Sequence, residues 1–361
     1  MKRIVIKLGT GILTTGIGTV DTKRIESICE QIAQARKRGI EVLVVSSGAV
    51  GMGMGAMNLT TRPETLAEKQ ACAAIGQSRL IQCWQDALAP HGILVGQLLL
   101  THEGLKLRNR YINAKKTVDQ MLAYGVIPII NENDSISSYE IRFGNNDLLG
   151  ALVASLTEAD QLQILSTAPG LIDMDGTGEI IPIVETITPE IEGLAKGTDS
   201  PTAVGGMITK IEAAKLATSA GCDVFIADGE ARDIITKILD NDFVGTRFVG
   251  DKSPMHSKKR WLAYFQRPNG SIEIDEGACR ALAFGQASLL SVGVNTSIGE
   301  FHRGDIVDIV SESGEVVARG ESQYSSHEID SIAHKNLAEL EIIYPDRNRL
   351  EVVHHDALVL L

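Results

Sequence analysis

From Arg3 to Ala227, short and strongly apolar runs alternate with longer stretches whose apolar residues recur every three or four positions. Few folds tolerate that alternation. A run such as 41–45 (Glu-Val-Leu-Val-Val) is apolar without interruption after Glu41, so it reads as a strand buried on both faces. Between Asp21 and Gly39, Ile25, Ile28 and Ile32 share a helical face, Asp21 supplies an N-cap, and Gly39 ends the helix. The spacing predicts strands over 3–6, 41–45, 93–100, 126–130, 161–165 and 223–227. Helices are predicted over 22–38, 64–88, 108–124, 146–157 and 207–220. Alternating strands and helices imply an α/β fold, a mainly parallel open sheet sandwiched between helices. Ligands of such sheets bind beyond the carboxyl ends of the strands, so the loops there are where chemistry belongs.

The pattern changes near Asp251. A polar stretch gives way to short β-rich runs over 271–274, 305–310 and 315–318, with Ser313-Gly314 as a hairpin turn between the last two. This divides the chain into a domain over 1–250, a linker over 251–269 and a smaller β-rich domain over 270–361. The length of 361 residues suits two domains, and only 4% of residues are aromatic, which fits helix-covered parallel strands. Five cysteines with no C-x-x-C spacing read as buried thiols in a reducing compartment. No signal peptide or membrane-length apolar run is visible, so the chain is expected to be cytoplasmic.

Five strand-end or helix-start loops carry reactive side chains. Lys7 closes the first strand and is followed by Gly9 and Gly11, a pairing of ammonium charge and accessible backbone N–H groups that suits phosphate. Ser46-Ser47-Gly48 opens a glycine-rich stretch to Ala56, where Ser47 offers a hydroxyl and the glycines offer close backbone approach. Asn131-Glu132-Asn133-Asp134 leaves a buried strand; Asp134 suits an ammonium group and Asn131 a carboxylate. Gly144-Asn145-Asn146-Asp147 opens a helix, with Asp147 able to hold lysines in place. Val204-Gly205-Gly206-Met207-Ile208-Thr209-Lys210 puts two glycines and a lysine at another helix start, without P-loop spacing. Each loop has a bland reading as a turn or cap; their gathering on one sheet edge is what a kinase requires.

Those motifs, with Gly76-Gln77-Ser78-Arg79-Leu80 and, further on, Lys259-Arg260-Trp261, Asp275-Glu276-Gly277-Ala278 and Ser288-Leu289-Leu290, resemble the glutamate 5-kinases of the amino acid kinase superfamily, which carry a C-terminal PUA domain. The resemblance implies transfer of a phosphoryl group from ATP, with Mg²⁺, to the side-chain carboxylate of L-glutamate, the first step of proline biosynthesis. It implies that Lys7 and Lys210 stabilise the phosphoryl group and that Asp147 orients them. Ser47, Asp134 and Asn146 would contact glutamate. Lys7, Ser166, Thr167 and the run Val204, Gly205, Gly206, Met207, Ile208, Thr209 and Lys210 would contact the nucleotide. It also implies feedback inhibition by L-proline, and the chain is expected to form a homo-oligomer. Asn145 stands where the family often has aspartate, and Ser166-Thr167 where it commonly has Thr-Asp.

A carboxylate nucleophile is already ionised at neutral pH, so no general base is needed and catalysis reduces to positioning and charge neutralisation. The rival readings are another amino acid or carbamate kinase, RNA binding by the C-terminal domain, and a dinucleotide-dependent enzyme. The last rests only on the fit of Gly51, Gly53 and Ala56 to G-x-G-x-x-A. Charge opposes nucleic acid: the chain carries −12, and from Asp251 onward 11 basic against 17 acidic residues leave −6. The same sign disfavours an anionic membrane surface. No zinc-protease or EF-hand spacing is present, and no protein metal site is expected; His354-His355 reads as an edge feature.

Overall fold

The computed structural model describes residues 2–16, 18–137, 146–174, 176–195, 204–251, 268–284, 287–347 and 349–361, with backbone alone at Lys106, Val204 and Gly205. The chain divides into two compact units, Met1–Pro254 and Met255–Leu361.

In chain order the first unit contains β1 (Arg3–Leu8), α1 (Thr10–Leu13), β2 (Thr14–Gly16), β3 (Thr19–Val20), α2 (Thr22–Lys37), β4 (Glu41–Ser46), α3 (Ala49–Ala56), α4 (Leu66–Leu88) and β5 (Val95–Leu100). There follow α5 (His102–Lys106), α6 (Arg108–Ala123), β6 (Ile127–Glu132), α7 (Asn146–Thr157), β7 (Gln161–Ser166), β8 (Ile183–Val184), α8 (Pro189–Leu194), α9 (Val204–Ser219), β9 (Asp223–Asp228), α10 (Ile234–Leu239) and β10 (Thr246–Phe248). Eight strands form one sheet in the order β5-β6-β4-β1-β7-β9-β10-β8. All neighbours are parallel except β9 and β10. The chain therefore winds outward both ways from β1, and the register sets Leu8 of β1 beside Ser46 of β4 and Leu165 of β7. The carboxyl ends of these strands open onto one edge.

Strand alternation assigns the two faces. Ile4, Ile6 and Leu8 join Ile25, Ile28 and Ile32 of α2 and Leu80 and Trp84 of α4 in one core. Val5 and Lys7 turn the other way, toward α7, where Gly150 leaves so little room that an added Cβ would lie 3.3 Å from the Cβ of Lys7. All of α7 except Leu148 is buried, the pattern of a helix enclosed on every side. The expected sandwich of helices around a mainly parallel sheet is thus what the chain forms.

Several strands run a residue or two past their apolar runs, because ladder pairing and burial continue through polar residues such as Lys7, Ser46, Asn131 and Ser166. The glycine-rich stretch after Ser47 is mostly helix rather than open loop. Glycine disfavours helix, but here it permits a contact nothing larger could make. A Cβ on Gly53 would lie 1.8 Å from the carbonyl oxygen of Cys72, and one on Gly76 would lie 1.8 Å from that of Ala49. So α3 and α4 touch backbone to backbone. Gly48, with φ of 112°, makes the left-handed turn out of β4 into α3.

The second unit holds β11 (Gly270–Ile274), β12 (Val294–Ile298), β13 (Ile306–Ser311), β14 (Val316–Glu321) and β15 (Leu358–Leu360) in one sheet of order β12-β11-β13-β14-β15. Ile272, Phe301, Ile309, Tyr324 and Leu340 anchor its core. Gly314, at φ of 82°, closes the hairpin between β13 and β14. Most of the expected linker, including Lys259-Arg260-Trp261, lies outside the described residues. Among the described residues, no helix is long and apolar enough to cross a membrane.

Candidate active site

At the edge made by the strand ends, Lys7 occupies the penultimate position of β1 on the face toward α7. Asp147 sits in the first turn of α7, and Lys210 lies in the second turn of α9. The Lys7 Nζ stands 2.5 Å from Asp147 Oδ1, and the Lys210 Nζ stands 3.1 Å from Asp147 Oδ2. All three are buried, at 5%, 5% and 7% exposure for Lys7, Asp147 and Lys210. Lys210 also donates to the carbonyl of Gly206, and the Thr209 hydroxyl donates to Asp147 Oδ2 at 3.3 Å.

Burial pushes the Lys7 ammonium below its ordinary value; the Asp147 charge opposes that shift and the Lys210 charge adds to it. For Asp147, burial alone would raise the carboxyl, but Lys7 and then Lys210 outweigh it and hold the group below its usual range. With both lysines protonated, two positive charges share one negative charge in a region of low dielectric. An anion arriving there would offset the remaining charge, and a transferred phosphoryl group has the right sign and size.

A second, uncharged arm continues from Asn146. Its Nδ2 donates to Ser47 Oγ at 2.8 Å and to Asn131 Oδ1 at 3.1 Å. Asn131 Oδ1 also accepts from the backbone N–H of Glu132 at 2.9 Å, and Asn131 Nδ2 donates to Gln77 Oε1 at 2.9 Å. Four elements, α3's leading turn, α4, β6 and α7, thus contribute to one hydrogen-bonded amide chain. Asn131 is 1% exposed and links its neighbours, rather than standing open as the carboxylate binder its sequence position suggested.

The other expected residues fall around this edge. Asp134 is half-buried in the turn after β6. Ser166 ends β7 and caps its own turn by accepting from the Ala168 N–H, and Thr167 beside it is exposed. A Cβ on Gly9 would lie 3.6 Å from Lys7 Nζ and 3.8 Å from Ser166 Cβ, so the lysine amine, Gly9 and Ser166 are neighbours. Val204 to Lys210 form the opening turns of α9, with Met207, Ile208 and Thr209 half-buried. The Gly144-Asn145 pair lies outside the described residues. His354 and His355 lie in the second unit with Asp356, and the His355 Nε2 stands 3.2 Å from Asp356 Oδ1.

Reasoning along the sequence gave no role to Gln77 and placed Thr209 only in a nucleotide-contacting run. Both sit on helix interiors, where a polar residue carries no turn or glycine signal. The available cue was the motif Gly76-Gln77-Ser78-Arg79-Leu80, which the resemblance included without giving Gln77 a part.

The Amino acid kinase family model matches residues 2–228, and the PUA domain model matches residues 270–344. Among curated relatives, the glutamate 5-kinase of Trichlorobacter lovleyi is 42% identical over 365 residues, spanning 100% of this chain and 97% of that protein. The glutamate 5-kinase of Syntrophotalea carbinolica is 42% identical over 363 residues, spanning 99% of this chain and 97% of that protein. That of Caldanaerobacter subterraneus is 40% identical over 363 residues, with 99% and 98% spanned.

Proposed function

The chain belongs to the glutamate 5-kinases, amino acid kinases with a C-terminal PUA domain, and from that premise we propose how its residues divide the reaction. The enzyme phosphorylates the side-chain carboxylate of L-glutamate, giving L-glutamyl 5-phosphate for proline biosynthesis. ATP is the donor. Lys7 and Lys210 take the charge that spreads over the transferred phosphoryl oxygens, and Asp147 holds their amines at a fixed separation. Glutamate lies along Ser47, Asn146 and Asp134, with its side-chain carboxylate directed toward the lysines. That carboxylate attacks the γ-phosphorus in line, without a base.

Both oxygens of Asp147 are engaged by ammonium groups, so this carboxylate does not offer Mg²⁺ a free oxygen. The ion would arrive with the nucleotide and would supply further charge neutralisation there. Ser166, Thr167 and the opening turns of α9 receive the nucleotide. L-Proline carries the same α-carboxylate and a cationic amine, so it suits the amide arm as a competing inhibitor. The protein acts as a homo-oligomer in the cytoplasm.

The bridging of two buried lysines by one buried carboxylate carries this reading. The direct test is formation of an acyl phosphate, trapped as the hydroxamate with hydroxylamine, from ATP and each of glutamate, aspartate and N-acetylglutamate. Trapped product with glutamate alone is expected; equal product from aspartate or N-acetylglutamate would overturn the assignment of substrate.

A further inference from the structure

We propose that Gln77 is a specificity-determining residue that donates a hydrogen bond to the substrate's α-carboxylate, and that the backbone N–H of Glu132 fixes this polarity. The assignment rests on the glutamate-kinase reading of the site.

The inference begins with a donor that cannot change roles. The Glu132 N–H can only donate, and it donates to Asn131 at 2.9 Å. The Asn131 atom facing it must therefore be the carbonyl oxygen, and the Asn131 amine must face the other way. That amine meets Gln77, so the Gln77 atom there must accept, and it is Oε1 at 2.9 Å. The Gln77 amine is then turned away from the chain. The same logic runs in the other direction. Asn131 Oδ1 also receives Asn146, so Asn146 must present Nδ2, which leaves its oxygen outward. One backbone amide thus orients three side-chain amides.

The two ends of that chain are the atoms left over. Gln77 Nε2 and Asn146 Oδ1 are both buried and have no hydrogen-bond partner among the described residues. Buried polar groups without partners are costly, and at a site they mark where a ligand supplies the missing group. The pair offers one donor and one acceptor. An α-amino acid offers a carboxylate, which only accepts, and an ammonium, which only donates. Position decides which end meets which. Asn146 adjoins Asp147 in sequence and so lies beside the lysine pair, whereas Gln77 is two hydrogen bonds further along. The side-chain carboxylate must face the lysines, so the α-carboxylate falls at the far end, on Gln77.

The test compares L-glutamate with L-isoglutamine, whose side-chain carboxylate is intact but whose α-carboxylate is a neutral amide. Gln77→Glu keeps an oxygen for Asn131 and replaces the outward donor with a negative oxygen. The expected result is a loss in kcat/KM for glutamate of roughly tenfold to a hundredfold, the scale of a charge-assisted hydrogen bond. The loss should lie mainly in the KM for glutamate. The KM for ATP should be unchanged, and kcat/KM for isoglutamine should move by less than about threefold. Preference for glutamate over isoglutamine then narrows or reverses. Equal losses on both substrates would reduce Gln77 to a structural role, and unchanged kinetics would remove it altogether. If Gln77→Glu misfolds, Gln77→Met serves instead, with the same narrowing expected and the same two results overturning the proposal. A wild-type enzyme that trapped no acyl phosphate from glutamate would sink the underlying reading, a different failure from either.

Discussion

Lys7 and Lys210 grip opposite oxygens of a single carboxylate: the Lys7 amine stands 2.5 Å from Asp147 Oδ1 and the Lys210 amine 3.1 Å from Asp147 Oδ2. One lysine comes from β1, the first strand, and the other from α9, some two hundred residues further along the chain. Their separation is set by a third residue rather than by either backbone. Under the proposed mechanism, that arrangement links stability and catalysis at one point.

Removing one cation should therefore cost chemistry more than binding. Lys210→Ala is expected to lower kcat on the order of a hundredfold or more, the scale of losing one transition-state donor. The KM for glutamate should change little, because the amide arm is untouched. Steady-state kinetics with both substrates varied checks this, and near-normal turnover would remove Lys210 from the mechanism.

Removing the bridging charge should cost the fold as well. Asp147→Asn leaves two buried ammonium groups facing a neutral amide. The expected loss is about 3–5 kcal/mol of unfolding free energy, the usual consequence of breaking a buried ion pair on one side. Urea denaturation of both proteins measures it. A variant as stable as the wild type would mean that the lysines lose their charge or find other acceptors.

The same carboxylate gives stability a pH signature. Its folded-state pKa is depressed, so its stabilising contribution is present above the ordinary carboxylate range and is lost as pH falls through the lowered folded value. The stability gap between wild type and Asp147→Asn should be constant from about pH 5 to neutrality and shrink in stronger acid. Denaturation curves at a series of pH values would show it; a gap that widened in acid would contradict the sign.

Substitution at the helix contact should damage the fold and the amide arm of the site together. Gly76→Ala would set a methyl group 1.8 Å from the Ala49 carbonyl oxygen and 2.4 Å from the Gly53 nitrogen, both backbone atoms, so α3 and α4 must part. Overpacking of this kind costs about 1–3 kcal/mol. Because α3 follows Ser47 and α4 carries Gln77, the KM for glutamate should rise too. Thermal unfolding and kinetics on one preparation test both effects.

The thiols should be slow to react in the native state. Burial raises Cys29 to about 12 and raises Cys222 well above its ordinary value. At pH 7 the Cys29 thiolate is on the order of one part in a hundred thousand. Iodoacetamide should leave Cys29 and Cys222 unmodified in folded protein and label them after denaturation, as read by mass spectrometry of peptides. Fast native labelling of Cys29 would show that its surroundings open.

Much of this was legible along the chain. Lys7, Asp147 and Lys210 stood out because each lies in a strand-end or helix-start loop, and such loops gather on one edge of a parallel sheet. The helix from Thr22 to Lys37 was announced by Asp21, which caps it through the Arg24 N–H, and by its isoleucine face. The glycines from Gly51 to Gly55 were harder. Local propensity favours a loop, and only the approach of α4 makes a helix the better solution there. Gln77 was silent for a related reason: its partner, Asn131, is distant in sequence, and neither residue advertises the pairing.

The sequence by itself determined the layered architecture, since the period of its apolar residues permits only buried strands and amphipathic helices in alternation. It also determined which charged residues were available to the site. The tertiary structure alone decided that two lysines share one aspartate, and which amide atoms of Gln77 and Asn146 are left without a partner among the described residues. Those facts depend on distances between atoms far apart in the chain, and on a backbone N–H whose direction exists only once β6 is paired in the sheet.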